Sequence, residues 1–136
     1  MKQGLSVGAA VLALAACERG SSLDLNEPAV QRLYTMSVPE YYATLTLAQR
    51  VAQGCAQYAY DTGLDTQLND ARNEVGRGSL SAFGLRNAIE LETDVTRRSF
   101  EVKHAVDVSA DDLCAAGDAE VLEGSPLAAM LIPIRA

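Results

Sequence analysis

The stretch SVPEYYATLTLAQRVAQGC, residues 37–55, carries the clearest structural signal in the chain. Ser37 followed three residues later by Glu40 has capping-box spacing, the arrangement that satisfies the free N–H groups at a helix start. Behind it Val38, Tyr41, Tyr42, Leu45, Ala48, Ala52 and Cys55 recur at steps of three and four, one apolar stripe at helical period with Cys55 as its last member. The same period runs through most of the chain on either side. Asn26-Glu27-Pro28 reads as a helix start, with Asn26 as cap and Pro28 in the first turn, and a short helix follows to about Met36. Tyr58-Ala59-Tyr60 reads as a continued or restarted helix that Asp61-Thr62-Gly63 breaks. A short helix is predicted from about Asp65 to Val75, ended by Gly76-Arg77-Gly78-Ser79.

From Leu80 to about His104 comes the longest periodic segment. Ala88, Leu91, Val95 and Val102 mark a buried seam there, widened by Phe83, Ile89 and Phe100. Arg86, Glu90, Asp94, Arg97 and Glu101 form the opposite, solvated face, with opposite charges four apart at 86/90 and 97/101. Ser109-Ala110-Asp111-Asp112 opens the last main helix, with Cys114, Gly117 and Val121 on one face and Gly124 at its end. Ser125-Pro126 begins a short terminal turn. No segment alternates at period two, so the expected fold is all-α: a small irregular bundle of about four to five helices forming one domain over residues 26–136.

Composition narrows function by exclusion. The 136 residues carry 11 Lys+Arg against 18 Asp+Glu, a net charge of −7, which repels phosphate backbones and argues against nucleic acid as a partner. A single His excludes a His-cluster metal centre, and no cofactor motif is present. Hydrophobic residues at 49% and charged residues at 21% fit a folded globule.

The N-terminus reads as a processing segment. Lys2 supplies a positive start, and Gly4 to Ala16 is an uncharged run rich in Ala, Leu and Val, shorter than the roughly 20 residues a membrane span needs. An ordinary secretory signal cut after small residues would look like this. Leu14-Ala15-Ala16-Cys17, however, resembles the lipobox of bacterial lipoproteins at all four positions. The resemblance implies a signal peptide over residues 1–16, a lipid-modified Cys17, and residues 17–25 as a flexible tether, with Arg19-Gly20-Ser21-Ser22 of linker composition. Several acyl chains on one residue anchor firmly, since each buried CH₂ adds about 0.8 kcal/mol. Glu18, where some bacteria use Asp to retain lipoproteins in the inner membrane, favours the outer membrane, with the domain facing the periplasm.

With Cys17 assigned to lipid, Cys55 and Cys114 remain as an even pair in an oxidising compartment, and a disulfide between them is predicted. The competing role is a reactive thiol at either position, for which His104 is the one available imidazole.

The remaining motifs weigh against chemistry. Asp61-Thr62-Gly63 spells an aspartic-protease triplet, but such a triplet belongs between apolar strand residues, and Leu64 follows it here. Asp61, Asp65 and Asp70 fail calcium-loop spacing, because position 66 is Thr and position 72 is Arg. Asp107, Asp111 and Asp112 read as capping residues. Gly76-Arg77-Gly78 lacks the Lys and Ser/Thr of a phosphate loop. His104 sits where an imidazolium would meet a negative helix end. The pairs Tyr41-Tyr42 and Tyr58-Ala59-Tyr60 are either half-buried core or interface anchors.

Leu113-Cys114-Ala115-Ala116-Gly117-Asp118-Ala119-Glu120, then Gly124-Ser125-Pro126-Leu127 and Met130-Leu131, resembles the ending of a group of small exported bacterial proteins of unknown function. Those have a signal peptide, two helical cysteines and an all-helical core. The resemblance spans about residues 45–131 and implies fold and compartment but no catalytic residue. The lipobox departs from it, as does Ala56-Gln57-Tyr58, where a Pro-containing segment is expected. Two functions remain open on this reading: a lipid-anchored envelope protein that binds or scaffolds an envelope partner without catalysis, or a small periplasmic enzyme or enzyme inhibitor using His104 or the Asp61 region.

Overall fold

Why α2 (Val38–Gln53) lies at the centre follows from its composition: Ala43, Leu47 and Val51 are buried besides the Val38, Tyr41, Leu45 and Ala48 stripe. Apolar residues on more than one face demand neighbours on more than one side. A computed structural model describes residues 22–134, and α2 there packs most extensively on α5 (Arg86–His104) and next on residues 58–60 and 126–129, while α1 (Pro28–Thr35) and α3 (Thr62–Glu74) touch each other. The expected signal peptide, Cys17 and most of the tether lie outside the described residues. The capping box is half present: the Ser37 side chain accepts from the Glu40 N–H at 3.4 Å.

The fold is all-α in the main, with the remaining helices α4 (Ser79–Gly84), α6 (Cys114–Glu123) and α7 (Pro126–Ala129). Seven helices among the described residues exceed the four to five expected, because the terminal turn closes into α7 and the long periodic segment divides at Leu85. Tyr58–Tyr60 is no helix. It forms β1, paired antiparallel with β2 (Leu131–Pro133) in the register Tyr58↔Pro133, Ala59↔Ile132 and Tyr60↔Leu131. The ladder ties the chain's last described turn to the middle of the domain, and the Ile134 N–H extends it by donating to the Gln57 carbonyl at 2.7 Å.

Several helix boundaries differ from expectation for identifiable reasons. Glu27, not Asn26, is the N-cap of α1. Asp61 does not end a helix but starts one, accepting the Leu64 N–H at 2.9 Å, so Thr62 and Gly63 become the first turn of α3. Ser109 does not open α6: residues 108–110 are a turn held by Asp107, whose carboxylate accepts the Ser109 N–H at 2.9 Å. Asp112 accepts the Cys114 N–H at 2.8 Å, and the helix begins there. Gly124 ends α6 in the left-handed region at φ 69°, where glycine carries no Cβ penalty.

The face of α5 is reversed. Its buried side is Phe100, with Ile89, Thr93 and His104 half-buried beside it, whereas Leu91, Val95 and Val102 are 67%, 48% and 84% exposed. Of the charged residues expected in solvent, Arg86 and Glu90 are exposed, Glu101 is half-buried, and Asp94 and Arg97, also half-buried, line a groove against Thr46 and Arg50 of α2. Arg97 pairs with Glu101 and, at 2.6 Å, with Asp94. Arg86 and Glu90 form no ion pair; the Arg86 guanidinium lies 5.6 Å from the Phe83 ring centre.

Candidate functional site

Cys55 and Cys114 are joined, with their Cα atoms 4.9 Å apart. The bridge joins two helix ends rather than two helix faces. Cys55 lies past the end of α2, after the Gly54 C-cap, and Cys114 is the first residue of α6. Next to the bridge the Leu113 N–H donates to the Gly54 carbonyl at 3.0 Å. A Cβ on Gly54 would stand 2.7 Å from the Leu113 side chain, so the close approach requires glycine. Gly117 admits a side chain rather than a second backbone: the Tyr58 ring packs where its Cβ would be, at 3.0 Å.

His104 closes α5 as expected, but its ring is buried. Nε2 donates to the Glu120 carboxylate at 2.7 Å, and the ring centre lies 4.5 Å from that of Phe100. Lys103 donates to the same Glu120 oxygen at 3.0 Å and to Glu123 at 2.5 Å. Burial pushes the Glu120 carboxyl up, yet hydrogen bonds from Ser125, His104 and Lys103 outweigh it and hold the group below the ordinary value. The imidazole and the Lys103 ammonium thus converge on one carboxylate, and the Ser125 N–H donates to the Glu120 backbone carbonyl at 3.2 Å, so this arrangement is a clasp between α5, α6 and the start of α7.

The tyrosines divide by role. The Tyr58 hydroxyl donates to Asp118 at 2.5 Å, and the Tyr60 hydroxyl to Asp65 at 2.8 Å. Burial first, and the Asp118 bond second, push the Tyr58 hydroxyl up to about 12; burial and Asp65 push Tyr60 and Tyr41 upward as well. Tyr41 meets Tyr42 edge to face with ring centres 5.2 Å apart. These side chains are core and clasp.

Arg72 was not singled out by the sequence, and it is the largest fully buried side chain. Its guanidinium donates to the carbonyls of Leu33, Tyr34 and Met36 at 3.3, 2.9 and 2.8 Å and lies 4.0 Å from the Tyr41 ring centre. It serves as a C-cap delivered from α3 to the end of α1, where the negative helix end favours a cation. Desolvation pulls its pKa down, since no carboxylate pairs with it among the described residues.

Asp61 is the one sequence candidate that meets open space. It is 2% exposed and lines a cavity of about 270 Å³ together with Leu23, Ala29, Val121, Ala128 and Leu131. Its backbone N–H donates to the Met130 carbonyl at 2.9 Å, and its Oδ1 is engaged in the α3 cap. Its Oδ2 is buried without a hydrogen-bond partner. The Asp61-Thr62-Gly63 triplet opens a helix instead of lying between strand residues, unlike the aspartic-protease setting. Among the described residues no group of three or more His, Cys, Asp or Glu side chains could hold a metal ion, and no helix is long and apolar enough to cross a membrane.

No family model matches the chain, and neither a curated protein nor a solved structure shows significant similarity to it.

Proposed function

We propose that this chain is a lipid-anchored cell-envelope protein: acylated at Cys17, lifted from the membrane by residues 17–25, and presenting its helical domain to the periplasm as a non-enzymatic binding or scaffolding module. Glu18 favours the outer membrane over the inner. The observation that carries this reading is the Cys55–Cys114 bridge, which takes two of the three cysteines and belongs to an oxidising compartment. With the lipobox-like Leu14-Ala15-Ala16-Cys17 ahead of it, the cysteine inventory is then accounted for in full. The engagement of His104 by Glu120 supports binding over catalysis, because the imidazole is committed to a structural contact. Cys17→Ser tests the anchor. That variant should lose labelling by a lipid probe and accumulate as unprocessed precursor. Full processing and unchanged membrane fractionation would overturn the reading.

A further inference from the structure

We infer that the outward face of α5 pairs with the same face of a second copy of this chain, antiparallel, about a two-fold axis near residues 96–97. Ala88, Leu91, Val95 and Val102 form that face at the a and d spacing of a coiled-coil seam, and all four are exposed. Arg98, also exposed, takes the remaining d position. The helix is thus apolar on two sides, and among the described residues only the side holding Phe100 is covered. Leu91 and Val102, at 67% and 84% exposure, are large aliphatic groups left in water unless a partner covers them.

Charge order along the helix names the partner. Three carboxylates, Glu90, Glu92 and Asp94, precede Val95, and three cations, Arg97, Arg98 and Lys103, follow it. Arg86 and Glu101 run the other way, but Glu101 is bonded to Arg97 and to the Val108 N–H, and Arg86 lies over the Phe83 ring. A parallel second copy would set like charges side by side. An antiparallel copy sets the acidic half on the basic half and opposes the two helix dipoles. The charge order also suits the dipole of a single helix; the exposed aliphatic seam does not, and pairing accounts for both. The contacts agree on one axis. Residues of antiparallel helices meet when their numbers share the axis as midpoint: Leu91 with Val102 gives a point between 96 and 97, and Asp94 with Arg98 gives 96. At 3.6 residues per turn Leu91, Asp94 and Arg98 fall on the same edge of the seam. Within one chain Arg98 reaches Asp94 at 3.0 Å, so on pairing it exchanges that carboxylate for the one on the second copy. A two-fold contact closes on itself and stops at two copies. One seam of four turns, about 21 Å long and on the order of 10 Å wide, is smaller than the ~800 Å² each partner gives to a stable complex. Pairing is accordingly weak and rises with the density at which copies are held.

The test places the photo-crosslinker p-benzoylphenylalanine at Leu91 of the full chain, irradiates the expressing cells, and maps the adducts by mass spectrometry. The expected product is a covalent dimer joining position 91 to residues around Val102 of the second copy. A dimer joined 91 to 91, as parallel pairing gives, would overturn the inference. So would adducts to lipid alone, adducts to another protein alone, or a dimer yield no higher than with the probe at Asp70, exposed on α3. Charge exchange tests the axis. Arg98→Glu alone and Asp94→Arg alone should each lower the dimer yield at least about fivefold, because like charges then meet twice across the axis. Co-expressing the two variants should restore it, since each copy supplies the charge the other lacks. Unchanged yield in the single variants, or no recovery in the mixture when both keep their helical circular dichroism, would refute the pairing. If Asp94→Arg fails to fold, the adduct map and Arg98→Glu still decide it. Lipid labelling at Cys17 is read on the same cells, so failure of the pairing leaves the anchor standing.

Discussion

Replacing both Cys55 and Cys114 by Ala should destabilise the domain by about 4–5 kcal/mol while leaving its helices in place. The bridge closes a loop between residues 59 apart, for which the chain-entropy relation gives about 4 kcal/mol at room temperature. Cys55 is fully buried, so losing its sulfur leaves a methyl-sized gap that costs about a further 1 kcal/mol. Against a total stability of about 5–15 kcal/mol for a domain of this kind, the loss is large but need not be fatal. Helicity should survive because the bridge joins the end of one helix to the start of another, so no helix interior depends on it. The Leu113 N–H bond to the Gly54 carbonyl holds the same two segments together in the folded state. Urea unfolding of the oxidised protein and the double variant, followed by circular dichroism, measures the difference. The denaturant slope should rise, since an uncrosslinked unfolded chain exposes more surface. Reduction of the unmutated protein should give a similar shift. A loss below about 1 kcal/mol, or collapse of the helical signal before denaturant is added, would refute the account of where the bridge acts.

Ala105 ends α5 at φ 52°, a left-handed conformation in a residue with a Cβ, so Ala105→Gly should raise stability by ~0.5–1 kcal/mol in the same urea assay. Alkaline pH should unfold the domain through its tyrosines. Tyr58, Tyr60 and Tyr41 have pKa values raised above 10.0 in the folded state, so their contribution is intact below pH 10 and is lost as pH rises through the folded value, about 12 for Tyr58. Tyrosinate absorbance and loss of helical signal should therefore rise together above pH 10. Ionisation of all the tyrosines near pH 10 with the helical signal intact would contradict the burial described for them.

The cysteine pair was legible because the count, together with the compartment that the lipobox-like motif implies, constrains it without any knowledge of geometry. The helix at 38–53 was legible because its cap and its period agree. β1 was not: three residues are too few to display alternation, and its partner β2 lies more than 70 positions away, so only tertiary pairing reveals either strand. The two aromatic residues of Tyr58-Ala59-Tyr60 were the available hint, since aromatics favour strands. Arg72 also left a trace. Leu64, Leu68 and Arg72 follow one another at four-residue steps, so the arginine continues an apolar seam that both leucines occupy fully buried. An arginine in that place has to find carbonyl partners, and the end of α1 supplies them.

The reversal of α5 shows where periodicity stops being informative. Two stripes run along this helix, Ala88-Leu91-Val95-Val102 and Ile89-Thr93-Phe100-His104, and they lie on opposite sides. Counting aliphatic residues favours the first. Burial follows the second because it holds the larger anchor, Phe100, and because its polar members have specific partners to bury against. His104 reaches Glu120, and on the same inward turn the Glu101 carboxylate accepts the Val108 N–H at 3.1 Å. A His or Glu facing inward costs little once its bond is made, whereas an aliphatic residue left outside forfeits only its transfer energy, about 25 cal/mol per Å². Hydropathy scores the two faces before those bonds exist. The difference that reversed them was made by residues on α6 and the preceding loop, which the sequence of α5 does not contain. The same holds for Asp61: a carboxylate that caps α3 with one oxygen looks satisfied in sequence, and only the packing around it shows the second oxygen buried without a partner.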